Sequence, residues 1–119
     1  MKKIILADDE KRFSELLRSE LESGGYAVDL VHDGVEAVLK VLDNKYDIAL
    51  LDIMMPNLDG INTTRILKKI NSPMPVIVFS GVAGSGEMAQ SVRAGALRCL
   101  TKPFTVQQLL TEIKTVLKE

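Results

Sequence analysis

The sequence predicts an α/β protein built on a parallel sheet with helices on both faces. Two observations carry that expectation. Short apolar runs alternate five times with longer amphipathic stretches along the 119 residues, the order that a strand–helix repeat imposes on a parallel sheet. Some runs, such as Ile48-Ala49-Leu50-Leu51, are continuously apolar, as strands covered on both sides must be. The length suits one ordinary domain and is too short for two good cores. Crossovers between parallel strands are expected to be right-handed.

Each element follows from local chemistry. Lys3 to Ala7 is an apolar run that stops at Asp8-Asp9-Glu10, giving the first strand. Phe13, Leu16, Leu17 and Leu21 then recur at helical spacing, and Gly24-Gly25 ends that helix. A second strand spans Ala27 to Val31. Asp33, with Glu36 three residues on, reads as a capping box opening a helix through Leu42. Ile48 to Leu51 forms a third strand ending at Asp52. Turn chemistry from Pro56 to Gly60 precedes a helix marked by Ile61, Ile66, Leu67 and Ile70. Val76 to Phe79 is the fourth strand, ending at Ser80. Gly81, Gly84 and Gly86 make the next loop glycine-rich, suggesting mobility, and a short helix is expected near Glu87 to Ala94. Cys99 to Thr101 is a weak fifth strand ending at Lys102-Pro103. Thr105 and Gln108 cap a final helix carrying Leu109, Leu110, Ile113, Val116 and Leu117.

Composition narrows the function. Hydrophobic residues are 46% and charged residues 26%, the balance of a soluble globular chain rather than a disordered one. A formal net charge of −1 favours neither nucleic acid nor an anionic membrane as partner, and no basic recognition helix is visible. The single cysteine, Cys99, excludes an internal disulfide and fits a reducing compartment. No apolar run approaches the roughly 20 residues needed to span a bilayer. After Met1-Lys2-Lys3 only Ile4 to Ala7 is apolar, too short for a signal peptide, so a cytoplasmic protein is expected.

In open parallel sheets the functional crevice lies beyond the carboxyl ends of the strands. The residues following each expected strand are Asp8 and Asp9, Asp52, Ser80, and Lys102. Three carboxylates on one edge repel one another unless a cation neutralises them. Mg²⁺ suits such a site, since it takes oxygen ligands from one or two carboxylates and phosphate. A carboxylate can also attack phosphorus to give an aspartyl phosphate. Phosphoryl transfer then needs mainly positioning and charge neutralisation, which a metal ion and a lysine supply.

Taken in order, Asp8-Asp9, the run Leu51-Asp52-Ile53-Met54-Met55-Pro56 continuing to Asp59-Gly60, Ser80, and Lys102-Pro103-Phe104 resemble the bacterial response-regulator receiver domain family across essentially the whole chain. The resemblance implies a flavodoxin-like (βα)5 three-layer sandwich with a five-stranded parallel sheet in order 2-1-3-4-5. It implies a two-component signalling switch that catalyses only its own phosphorylation and dephosphorylation. Asp52 would accept a phosphoryl group from a sensor histidine kinase or phosphotransfer protein. Asp9 would ligate Mg²⁺ directly and Asp8 through water, with Asp52 and the Met54 carbonyl completing the protein ligands. Lys102 would pair with the phosphoryl group and Ser80 would move to hydrogen-bond it. The resemblance also implies a cis Lys102–Pro103 peptide. Output would leave through the helix 4–strand 5–helix 5 face, toward an output domain, an effector or a phosphorylation-dependent dimer partner. Residues 1–119 read as one receiver domain without an output domain, contacting neither nucleic acid nor membrane directly.

Plainer roles compete at each position. Asp8 and Asp9 could be helix N-caps, Asp52 a loop cap, Lys102 a surface lysine and Ser80 a turn residue. Cys99 stands where the family often carries an aromatic switch residue, and it is too small to make that rotamer toggle; it reads as a buried structural cysteine. His32 reads as an exposed strand-end residue, and Met54 and Met55 as packing residues. Gly84-Ser-Gly86-Glu-Met-Ala89 formally matches a dinucleotide fingerprint, but no acidic residue follows at about 20 residues. A phosphohydrolase resembling the haloacid-dehalogenase family would want Asp-x-Asp after the first strand and a cap domain, and this chain has Asp8-Asp9-Glu10. A third reading is a degenerate receiver used only as a binding module.

Overall fold

Strand and helix alternate without interruption in the computed structural model, which describes residues 1–81 and 86–119. Among the described residues these are β1 (Lys3–Ala7), α1 (Lys11–Ser23), β2 (Ala27–Val31), α2 (Gly34–Asp43), β3 (Ile48–Asp52), α3 (Gly60–Ile70), β4 (Val76–Ser80), α4 (Glu87–Ala94), β5 (Arg98–Thr101) and α5 (Val106–Leu117). All strand pairs are parallel and the sheet order is β2-β1-β3-β4-β5. Register aligns the carboxyl ends: Ala7 lies opposite Val31 and Leu51, Asp52 opposite Phe79, and Ser80 opposite Thr101. One sheet edge therefore collects every residue that ends a strand.

Successive strand residues point to opposite faces, so each apolar run feeds two half-cores. Ile5, Ala7, Ala49, Leu51, Val76 and Val78 pack with Ala37 and Val41 of α2 and Leu67 of α3. Ile4, Leu6, Ile48, Leu50, Ile77 and Phe79 pack with Leu17 and Leu21 of α1 and Leu109 and Ile113 of α5. Each fully buried Leu, Ile or Phe contributes roughly 1.5–3 kcal/mol of transfer free energy, and β3 and β4 carry no polar residue before their ends. The edge strands differ: β5 keeps its two ends exposed.

Several expectations are refined. Leu16 of α1 is 61% exposed, and Ile66 and Ile70 of α3 lie partly in solvent, so helical spacing overcounted the buried stripe. α5 carries the full capping box between Thr105 and Gln108. On α2 the Asp33 side chain accepts from the Glu36 N–H, but the Glu36 carboxylate accepts from His32 rather than closing the box on Asp33. β5 begins one residue before Cys99. Gly84 and Ser85, which open the Gly84-x-Gly86 pattern, lie outside the described residues.

Candidate functional site

Asp52 ends β3 with only 4% of its surface exposed, although its strand is otherwise apolar. Its Oδ1 accepts the Met54 N–H at 3.1 Å, and its Oδ2 accepts from Lys102 Nζ at 2.7 Å. Asp8 follows β1 and is fully buried. Its Oδ1 accepts the Glu10 N–H at 2.8 Å, while its Oδ2 is buried with no hydrogen-bond partner and stands 3.6 Å from Lys102 Nζ. Asp9, exposed at the rim, brings a third carboxylate: oxygens of Asp8, Asp9 and Asp52 lie within 4.8 Å of one another. Glu10 Oε1 comes within 3.7 Å of the same ammonium.

The Lys102 ammonium thus faces three carboxylates, with Asp9 beside them, and burial and charge move Asp8 and Lys102 from their ordinary values. Burial, reinforced by the charges of Asp52 and Glu10, raises the Asp8 carboxyl to about 6 against the Glu10 N–H and Lys102. Burial also pulls the Lys102 ammonium down, but the Asp52 hydrogen bond and the charges of Asp52, Asp8 and Glu10 outweigh it and hold it above its usual value. An orphaned buried carboxylate oxygen beside two further carboxylates is a hard, all-oxygen donor set. That set fits Mg²⁺, which prefers oxygen and few protein ligands.

Lys102 is fixed from behind as well as in front. Its backbone N–H donates to the Ser80 carbonyl at 2.7 Å, and the Lys102–Pro103 peptide is cis, as expected. Its Nζ sits 4.7 Å from the centre of the Phe13 ring, a cation–π arrangement. Phe13 meets Phe104 edge-on at 6.0 Å, and Phe104 packs on Phe79 at 4.9 Å. Ser80, 3% exposed at the end of β4, donates its hydroxyl to the Glu87 carboxylate at the start of α4.

The fold therefore gathers Asp8, Asp9, Asp52 and Lys102 into one site, with Ser80 on the adjoining strand end. Neither Asp8 nor Asp9 caps α1; its N-cap is Glu10, which makes no side-chain cap bond. His32 is half-buried rather than exposed, with Nδ1 3.1 Å from the Asp8 carbonyl oxygen. Cys99 is half-buried, and Met54 is 70% exposed while Met55 packs on the core. Sequence reasoning missed Glu10, Phe13 and Glu87. Glu10 could have been read from its place beside Asp8-Asp9, whereas the apolar period of α1 absorbed Phe13 and nothing in sequence flags Glu87.

Comparison with known proteins gives the same picture. The response regulator receiver domain family matches residues 4–114. The response regulator MprA of Mycobacterium avium is 35% identical over 116 residues, covering 98% of this chain and 51% of that protein. The chain thus spans about half the length of the curated relatives it matches. Among solved structures, the Francisella response regulator 1452 receiver domain aligns with a TM-score of 0.93 at 32% identity, covering 99% of this chain and 98% of that one. The receiver domain of the sensor histidine kinase PA1611 from Pseudomonas aeruginosa, solved with a magnesium ion coordinated in its active site cleft, aligns at 0.91 and 29% identity, covering 99% and 98%. In the described residues no helix is long and apolar enough to cross a membrane.

Proposed function

This chain belongs to the response regulator receiver domain family, and on that premise we propose that it accepts a phosphoryl group on Asp52, beside a Mg²⁺ ion held by Asp8 and Asp9. It is a receiver domain of two-component signal transduction. The observation that carries the Asp52 assignment is the pairing of its carboxylate with Lys102 at 2.7 Å in an acidic cluster of buried Asp8 and Asp52 with Asp9 at the rim. A carboxylate between an ammonium and a cation-seeking donor set is placed to attack phosphorus and to have the resulting charge neutralised.

The chain's own groups divide the work. An Asp52 oxygen forms the new O–P bond while the donor's P–N bond breaks, and the departing imidazole of a phosphohistidine keeps that electron pair. Lys102, now bonded to Asp52, follows the charge onto the phosphoryl oxygens. Its position on the Phe13 ring and the short reach to Asp8 hold it within range of both arrangements. The Ser80 hydroxyl supplies a further hydrogen bond. Asp9, Asp52 and the Met54 carbonyl, with Asp8 through water, would hold Mg²⁺, which would supply charge neutralisation for the phosphoryl transfer. The donor is a sensor histidine kinase or a phosphotransfer protein in a reducing, cytoplasmic compartment. Output passes through the face of α4, β5 and α5 to a linked domain, an effector or a second copy.

The test is intact-mass analysis after incubation with Mg²⁺ and acetyl phosphate. One phosphoryl adduct is expected on the native chain and none on Asp52→Asn. An adduct that survives in Asp52→Asn would move the phosphoacceptor elsewhere, and no adduct at any Mg²⁺ concentration would leave a binding module.

A further inference from the structure

We infer that Glu87 is a positioning residue that competes with the phosphoryl group for the Ser80 hydroxyl, tying occupancy of Asp52 to the N-terminus of α4. The inference rests on the phosphoacceptor reading of Asp52. A serine hydroxyl carries one proton to donate. Here that proton goes to Glu87 Oε1, across the gap between the end of β4 and the first residue of α4. Ser80 stands on the strand that pairs with β3 through Asp52 and Phe79. A hydrogen bond from Ser80 to a phosphoryl oxygen on Asp52 therefore requires release of Glu87.

The same glutamate is built into α4 on its other side. α4 has glycine at its N-cap, in the left-handed region with φ 86°, and no side-chain cap bond. Glu87 is the acidic residue of its first turn, where a carboxylate favours the helix dipole. Its carbonyl accepts the hydroxyl of fully buried Ser91 at 2.7 Å, one turn along. Glu87 is half-buried, and its charge adds to the burial that raises the Cys99 thiol on β5. A change of partner at Ser80 thus reaches α4 and β5 through one side chain of this chain.

The alternative is simple electrostatics, in which the Glu87 charge opposes any anion at Asp52 whatever Ser80 does. A double-mutant cycle separates the two. Affinity for beryllofluoride, a phosphoryl mimic, is measured calorimetrically with Mg²⁺ on the native chain, Glu87→Ala, Ser80→Ala and the double variant. Competition predicts roughly fivefold tighter binding for Glu87→Ala in the native background. It predicts a change of less than about twofold from the same substitution in the Ser80→Ala background. Equal tightening in both backgrounds, or none in either, overturns the competition. Glu87→Gln keeps a weaker acceptor and a sound helix position, so a smaller tightening of the same sign, again dependent on Ser80, is expected if Glu87→Ala fails to fold. Absence of saturable binding by the native chain would instead overturn the phosphoacceptor reading beneath it.

Discussion

Two of the carboxylates around Lys102 are buried and meet it in different ways, and its removal should separate them. Asp52 takes its hydrogen bond at 2.7 Å, and Asp8 takes only its charge at 3.6 Å. Both carboxylates are buried, so Lys102→Met leaves two uncompensated charges and should cost the metal-free fold roughly 2 kcal/mol. Mg²⁺ then relieves more repulsion in the variant than in the native chain. Thermal melting with and without Mg²⁺ should show the larger rise in Lys102→Met, and equal rises would deny that ammonium and metal share one cluster. Phosphoryl uptake should fall in the same variant because the transferred charge loses its cation. Cys99 allows a second test at this scale. Burial, helped by the Glu87 charge and opposed by the Ser91 hydrogen bond, pushes its thiol above the ordinary 9.0. Folding thus favours the protonated thiol; that contribution is complete below 9.0 and is lost as pH rises through the higher folded value. Iodoacetamide labelling followed by mass should accordingly be slow at neutral pH and quicken only above pH 9. Fast labelling at pH 7 would mean a thiolate that this environment cannot support.

At the scale of elements, the approach of α3 to β3 sets the site. Gly60 opens α3, and a Cβ there would stand 2.2 Å from the Asp52 carbonyl oxygen. Its φ is not in the left-handed region, so the need for glycine is one of space. Gly60→Ala should push the helix start away from the strand end, costing about 1–3 kcal/mol and slowing phosphoryl uptake at the same time. Urea titration and the mass assay check the two effects, and a stable variant with native uptake would show that the contact yields cheaply. The far edge of the sheet is tied by tyrosines. Tyr46 donates to Asp29 at 2.6 Å, and Tyr26 donates to Glu119 at 2.8 Å. Burial and then these carboxylate bonds raise Tyr26 to about 12, and the same causes raise Tyr46. Stability from both phenols is complete below their ordinary 10.0 and lost as pH climbs through the folded values. Tyrosinate absorbance should therefore appear only with alkaline unfolding, whereas a normal titration near pH 10 would show the bonds absent. Element positions were legible where one local rule acts alone, as in the Thr105–Gln108 capping box. They were less so where neighbours compete, as Glu36 does in reaching His32 instead of Asp33.

For the molecule as a whole, the site was legible because parallel strands end on one edge. Asp8, Asp52, Ser80 and Lys102 needed only a strand map to be brought together, and their ordered resemblance to a known family supplied the chemistry. The Phe13 ring under Lys102 and the Glu87 carboxylate on Ser80 were not legible, because helix rotation and loop closure decide them and neither leaves a spacing in sequence. The same sheet that aligns the strand ends also divides the interior into two half-cores, and this fixes how the chain should unfold. Ile5 packs toward α2 and α3, and Ile4 packs toward α1 and α5. Each half-core holds one buried tyrosine, Tyr46 in the first and Tyr26 in the second, and the sequence contains no tryptophan. Tyrosine fluorescence in Tyr26→Phe and Tyr46→Phe backgrounds therefore reports each half separately. Neither half keeps its helices without the shared strands β1, β3 and β4, so unfolding should be a single cooperative event. Ile4→Val and Ile5→Val should each cost about 0.5–1.5 kcal/mol and shift both tyrosine signals by the same amount in urea. Separate midpoints for the two tyrosines would mean that one face can open while the other holds. A half-open state of that kind would release α2 and α3 while α1 and α5 stayed on the opposite face of the same strands.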